Sequence, residues 1–187
     1  MSLTHYTFIF FTTLPFFLFG TTLSYTVMRL GDGEDNIVSP GEIFELGLFK
    51  AATSVPDVDG WYLGIWYKRS PEIVVWLANR QNPLYNSTAT LRFLSSSSTL
   101  VLRDQSGGTV WKSPKLKIQI NNQRIVPELL DNGNFMFRQQ LAAGFLWQSF
   151  DFPTDILLPG MKLGWDRRTN VNTTSLTSWK NQRHIPS

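Results

Sequence analysis

Three tryptophans, Trp76, Trp111 and Trp147, recur 35 and 36 residues apart, and each closes the same local pattern. An apolar run meets a polar turn, and a second apolar run ends on an aliphatic residue followed by the Trp. In the first copy WYLGIWY (61–67) is followed by KRSPE and then IVVW; in the second TLVLR (99–103) by DQSGG and TVW; in the third NFMFR (134–138) by QQLAAG and FLW. β-branched and aromatic residues on both arms, with charge, Gly or Pro between them, predict β-hairpins. Neither arm of the first copy keeps a 3.6-residue spacing and Pro71 interrupts the stretch, which excludes a helix. A fixed period with one hairpin and one Trp per unit predicts a threefold β architecture. Three units are too few for a propeller of about four to eight blades, which leaves a closed prism or trefoil.

The segments between the hairpins extend this reading. Ile43–Phe49 reads as a strand whose Gly47 implies a bulge or a close backbone approach. Thr90–Leu94 is a short strand and Ser95–Ser98 a polar turn. Leu116–Ile120 alternates, Ile125–Leu130 follows, and Asp131-Asn132-Gly133 is a strong turn signal. With roughly ten to twelve short strands and no helical periodicity, the fold class is all-β with period-two runs facing inward. Core positions are assigned to Trp66, Trp76, Trp111 and Trp147, and Trp61 is the candidate for a ligand-facing ring. Residues 161–169 add an edge strand at most, and beyond Thr169 the chain is polar.

Chemistry is constrained mainly by what is missing. The net charge of +3 is small and scattered, which argues against a nucleic-acid partner. With no Cys there is neither a disulfide framework nor a thiolate metal site. The histidines are His5 and His184, at the two ends of the chain, so no Ser–His–Asp set and no His cluster for zinc can be assembled in the repeats. Asp151 and Asp155, flanked by Phe152, Pro153 and Thr154, are expected to bond loop amides rather than to form a carboxylate dyad. No cofactor is expected.

Residues 1–24 carry no Lys, Arg, Asp or Glu, and Phe8–Gly20 is a 13-residue apolar run broken only by Thr12, Thr13 and Pro15. That length suits a signal-peptide core and is short of the ~20 residues needed to span a bilayer. Small residues at Thr22 and Ser24 fit cleavage after Ser24. An uncleaved anchor and a buried strand are the alternatives. Behind such a leader, the sequons at Asn86 and Asn172 become N-glycosylation candidates in polar, loop-like surroundings. The chain ends at Ser187 without a closing pattern, and a truncated product or a gene model missing downstream sequence is the expectation.

The ordered motifs YLGIWYK, VVWLANRQNPL, TLVLRD, ELLDNGNF and LWQSFDFPTDILLPGMKLGWD closely resemble the bulb-type (G-type, mannose-binding) lectin domain of plant S-locus glycoproteins and S-domain receptor-like kinases. The resemblance covers about residues 37–169. It implies a β-prism of three four-stranded subdomains with pseudo-threefold symmetry, an extracellular setting, and a role in cell recognition of the pollen-recognition kind. The Q-x-W repeat of a trefoil lectin is missing before Trp76, Trp111 and Trp147. The resemblance divides the chain into a leader (1–24), a lectin domain (25–160) and a C-terminal extension (161–187). The Ser/Thr kinase of full-length relatives is absent from this sequence, so no enzyme activity is expected.

Sugar-binding members of that family carry Q-x-D-x-N-x-V-x-Y, whose polar side chains alternate along a strand and present donors and acceptors to mannose hydroxyls. The aligned positions of the second unit are Ser95, Ser97, Thr99, Val101 and Arg103, where only the Val matches. In the third they are Leu130, Asn132, Asn134, Met136 and Arg138, where only Asn134 matches. Losing polar readers that contribute about 1.5–3 kcal/mol each when charged predicts weak or no mannose binding. Any persisting site is expected around Asn132, Asn134 and Arg138. The expected partners are a weakly held mannose-type carbohydrate and a protein such as a receptor ectodomain or a second copy of the chain.

Overall fold

A computed structural model describes residues 27–31, 35–52, 59–94, 97–114, 124–140, 144–154, 156–166, 171–173 and 176. The leader and the Leu116–Ile120 strand expected from sequence lie outside them. In chain order the strands are β1 (Val27–Leu30), β2 (Ile37–Val38), β3 (Phe44–Ala52), β4 (Asp59–Tyr67), β5 (Ser70–Leu77), β6 (Ala89–Leu94) and β7 (Thr99–Asp104). They continue with β8 (Thr109–Lys112), β9 (Ile125–Leu129), β10 (Phe135–Gln139), β11 (Trp147–Gln148), β12 (Gly164–Asp166) and β13 (Val171–Thr173). One 3-10 turn, Ser149–Asp151, is the one helical element among the described residues.

Among the described residues all strand pairing is antiparallel. The described sheets run β2-β3-β4-β5, β1-β6-β7-β8 and β11-β10-β9, with β12-β13 as a separate ribbon. This is the all-β prism, one sheet per Trp: Trp76 lies in β5, Trp111 lies in β8 and Trp147 opens β11. The first strand does not stay with its neighbours in sequence. β1 pairs with β6, Val27 opposite Arg92 and Leu30 opposite Ala89, so the start of the described chain completes the second sheet.

Alternation places the core. On β6, Ala89, Leu91 and Phe93 are buried, and on β10 Phe135 and Phe137, while intervening residues are half-buried. One buried cluster joins the inner faces of all three sheets. At its centre the three tryptophans meet edge to face: Trp76–Trp111 at 6.2 Å and 85°, Trp76–Trp147 at 5.8 Å and 70°, Trp111–Trp147 at 6.3 Å and 80°. Such pairs contribute about 0.5–1.5 kcal/mol beyond area burial. Trp66 is also buried, but on the opposite face of the first sheet. It packs edge-on to Phe49 (5.9 Å, 79°) and donates from Nε1 to Glu45 Oε2 at 3.2 Å. Trp61 does not stand free as a ligand-facing ring. It is half-buried against the core, and its backbone is bridged to Leu84.

A second threefold device is polar. Within three residues after each of Trp76, Trp111 and Trp147 a buried side chain takes the amide of an inward-facing residue of its own sheet. Asn79 Oδ1 accepts from Leu63 N (2.8 Å), Ser113 Oγ from Leu100 N (2.9 Å) and Ser149 Oγ from Phe135 N (2.9 Å). A buried donor left unpaired is unfavourable, so these residues let the strands end inside the core.

Several local expectations are corrected. The first hairpin turns at Lys68-Arg69, and Pro71 lies inside edge strand β5, within a register slip between the Tyr67–Ser70 and Trp66–Val74 pairs. An edge position with broken register needs no donor there, which is why Pro is tolerated. Gly47 sits in regular register opposite Gly64 without a bulge, and its missing Cβ makes room for the Asn36 carboxamide. Asn172 is not in a loop; it lies on β13, opposite Trp165.

Candidate carbohydrate site

The third sheet contains the positions with the best match to the sugar motif. β9 and β10 are joined by Leu130–Asn134, with Gly133 in the left-handed region (φ 84°) and its N–H donating to Leu130 O at 2.9 Å. A Cβ at Gly133 would sit 2.7 Å from Leu158 Cδ1, so both conformation and space demand glycine. Asp131 Oδ1 accepts from Gly41 N at 2.7 Å, tying this turn to the loop before β3.

The motif residues do not converge. Asn132 is exposed, and its Oδ1 accepts from Asn134 N at 3.0 Å, an Asx turn. Asn134 precedes β10 and is buried, so strand alternation does not carry its side chain to the outer face. Its Nδ2 donates to Gln148 Oε1 (2.9 Å), and its Oδ1 accepts from Ser149 Oγ and Phe150 N (both 3.3 Å). Gln148 Nε2 in turn donates to Asp151 Oδ1 at 2.6 Å. Asp151 thus bonds the side-chain amide of Gln148; Asp155 lies outside the described residues. Arg138 faces outward, and its Nε donates to Glu128 Oε2 at 2.6 Å. That pair is more than a third exposed on both sides, so solvent screens it. Glu128→Gln is expected to lower stability by less than about 1 kcal/mol, read from urea melts. A larger loss would mean the pair anchors the outer face.

The segment after Trp147 explains its dense motif. Phe152 stacks on the Trp147 ring (5.8 Å, 12°) while its carbonyl accepts from Trp76 Nε1 at 2.9 Å. The QSFDF run therefore covers the tryptophan cluster.

In the second unit Ser95 lies outside the described residues. Ser97 Oγ and Thr99 Oγ1 are 2.6 Å apart and satisfy each other. Val101 is fully buried. Arg103 occupies the Tyr position of the motif and lines a cleft of about 600 Å³ with Arg29, Arg92, Asp35, Asp104 and Thr90 among its walls. Sequence reasoning missed this cleft. Its one local signal is that Arg29, Arg92 and Arg103 each occupy the parity opposite to the core residues of their strands. The Ser106 hydroxyl, followed by the Gly108 amide, holds the Asp104 carboxyl below its ordinary value, so it remains ionised in the β7–β8 turn. Of the sequon residues, Asn86 is exposed in the loop before β6, with its Nδ2 3.4 Å from Gln105 Oε1.

Among the described residues no group of three His, Asp or Glu side chains could hold a metal ion. No described helix is long and apolar enough to cross a membrane.

Three antiparallel sheets around a tryptophan hub, with sugar-motif positions on two of them, define a bulb-type lectin β-prism. The family model described as D-mannose binding lectin matches residues 73–180, and the chain belongs to that family. It is 46% identical over 184 residues to the receptor-like serine/threonine-protein kinase SD1-8 of Arabidopsis thaliana, covering 94% of this chain and 21% of the kinase. It is 44% identical over 185 residues to the S-locus-specific glycoprotein BS29-1 of Brassica oleracea var. alboglabra, covering 94% of this chain and 41% of the glycoprotein. A G-type lectin S-receptor-like serine/threonine-protein kinase SRK of Arabidopsis thaliana is 44% identical over 188 residues. The chain thus spans between about a fifth and two-fifths of the length of the relatives named first.

Proposed function

We propose that the chain is a secreted, non-catalytic recognition module whose mannose sites are degenerate and whose partner is a protein, such as a receptor ectodomain or a second copy of the chain. The proposed limits are a leader over 1–24, the lectin module over 25–160 and an extension over 161–187, with glycans at Asn86 and Asn172. The carrying observation is Asn134. The single motif side chain that survives in the third unit has both polar atoms occupied by Gln148, Ser149 and Phe150. A sugar hydroxyl would have to displace these buried bonds, each contributing about 0.5–1.5 kcal/mol. Asn132 Oδ1 is taken by its turn and Arg138 Nε by Glu128, which reduces what either offers to a sugar.

Calorimetric titration of the folded, glycosylated protein with mannose and high-mannose glycans tests this. No saturable heat is expected at millimolar sugar, with Asn134→Ala indistinguishable from wild type. Saturable binding that disappears in Asn134→Ala would replace this reading with an active mannose-binding lectin. A second reading, the lectin portion of a receptor-like Ser/Thr kinase gene product, draws on the 46% identity to a protein of which this chain spans 21%. Sequencing the 3′ end of the transcript decides it: an in-frame kinase-coding region supports it, and a stop codon after Ser187 removes it.

A further inference from the structure

We propose that the outer face of the second sheet binds a uronate-bearing oligosaccharide, with Arg29, Arg92 and Arg103 reading its carboxylates. The proposal rests on the reading of this module as one that recognises by non-catalytic binding. It assigns ligand chemistry to the face that carries the second unit's motif position Arg103, where the neutral-sugar readers are lost.

The register brings the arginines together from distant parts of the chain. Arg29 on β1 lies opposite Thr90 on β6, and Thr90 opposite Arg103 on β7. Arg92, two residues along β6, lies opposite Val27 on one side and Val101 on the other. Alternation therefore puts all three on one face, opposite the core residues Leu30, Leu91 and Leu102. With neighbouring strands ~4.8 Å apart, Arg29 and Arg103 stand roughly 10 Å apart across the sheet. That span suits sugar rings carrying more than one carboxylate better than a single small anion. The cleft of about 600 Å³ they line is of the size that takes a small ligand.

Two of the guanidinium groups hold a donor without a partner. The Nε atoms of Arg92 and Arg103 are buried from solvent and have no hydrogen-bond partner. Among the described residues the ion pairs are Lys50–Asp59, Lys68–Glu42 and Arg138–Glu128, none of them in the cleft. The two carboxylates in the wall do not answer the arginines. Asp104 Oδ1 accepts from Ser106 Oγ (2.7 Å) and Gly108 N (2.8 Å), and Asp35 is an exposed residue at the margin. A donor withdrawn from water without an acceptor is unfavourable. Once the side chain turns outward, a carboxylate at the Nε edge of a guanidinium satisfies two parallel donors at once. Thr90, between the arginines, adds a hydroxyl suited to a ring oxygen or hydroxyl.

The test is calorimetric titration of the full secreted chain with trigalacturonate, its methyl ester, methyl α-mannoside and inorganic phosphate. It is repeated in Asn86→Gln, because a glycan at Asn86 would stand beside Gln105 on the rim. Trigalacturonate is expected to bind, with the neutral ester weaker by about tenfold or more. Arg92→Met and Arg103→Met are each expected to weaken it by about tenfold or more. Arg103→Lys, which keeps the charge but loses the fork, is also expected to bind more weakly, with wild-type circular dichroism establishing that each variant is folded. Equal binding of acid and ester, no binding of trigalacturonate in either glycosylation background, or phosphate binding as tightly as trigalacturonate would each overturn the proposal. Saturable methyl α-mannoside binding would instead sink the degenerate-site reading, and the difference between acid and ester would still decide this one.

Discussion

Trp147→Ala is expected to destabilise the protein by about 3–5 kcal/mol, the range for removing a large aromatic side chain from a packed core. Trp147 is 1% exposed. It touches more of the centre than either of its counterparts, packing edge to face with Trp76, Trp111, Phe135 and Phe137 and stacked on by Phe152. The cavity would open where the three sheets meet, and no single sheet can close it alone. In a module of this size the loss corresponds to a fall in Tm of roughly 10 °C, measurable by urea and thermal melts. Trp111 lies in the same hub but is only half-buried, so Trp111→Ala should cost clearly less. Trp147→Phe should be milder still relative to its size, because the Nε1 that it removes is buried without a hydrogen-bond partner. Equal losses at Trp147 and Trp111 would contradict the placement of Trp147 at the centre.

Asn79→Ala is expected to cost about 2–4 kcal/mol although it deletes little apolar volume. The buried carboxamide accepts from Leu63 N and donates to Trp61 O and Asn82 O. Truncation leaves a buried amide and two carbonyls without that partner, at about 1–3 kcal/mol for each group that water cannot reach. Ser113→Ala and Ser149→Ala remove the corresponding acceptors in the other two sheets, with fewer bonds each, and should cost less. Amide hydrogen exchange gives a residue-level check, since Leu63 N–H should lose protection in Asn79→Ala ahead of its neighbours. Unchanged protection of Leu63 would mean another group takes over as acceptor.

The parts of the fold that the sequence made legible are those written in local chemistry. The tryptophan period, the inward alternation of Ala89, Leu91 and Phe93, and the left-handed glycine in Asp131-Asn132-Gly133 each act over a few residues, and each is where the motif reading expected it. What was not legible depends on partners far away in the chain. Nothing in VMRL says that it pairs with Arg92–Ala89, and Pro71 looks like a turn residue until β5 is known to be an edge strand. At the candidate site, motif spacing assumed that Asn134 alternates with Met136 and Arg138. The turn ends one residue later than that assumption, and the carboxamide rotates inward to Ser149 and Phe150. The arginine cleft was invisible for the same reason as β1: its walls come from three strands separated by tens of residues.

The crossing of β1 into the second sheet also carries a schedule. The first sheet is a run of sequence-adjacent strands and can form as soon as it leaves the ribosome, whereas β1 must wait for β6. At about 5–20 residues per second of synthesis, the 58 residues between them represent a delay of roughly 3–12 s. Throughout that interval the amino-terminal segment is a loose end, and until it arrives β6 is an open sheet edge able to recruit another chain. A processing cut only a few residues beyond Ser24 would remove the strand altogether. If the proposed leader is removed, the position of that cut therefore bears on aggregation as much as on targeting.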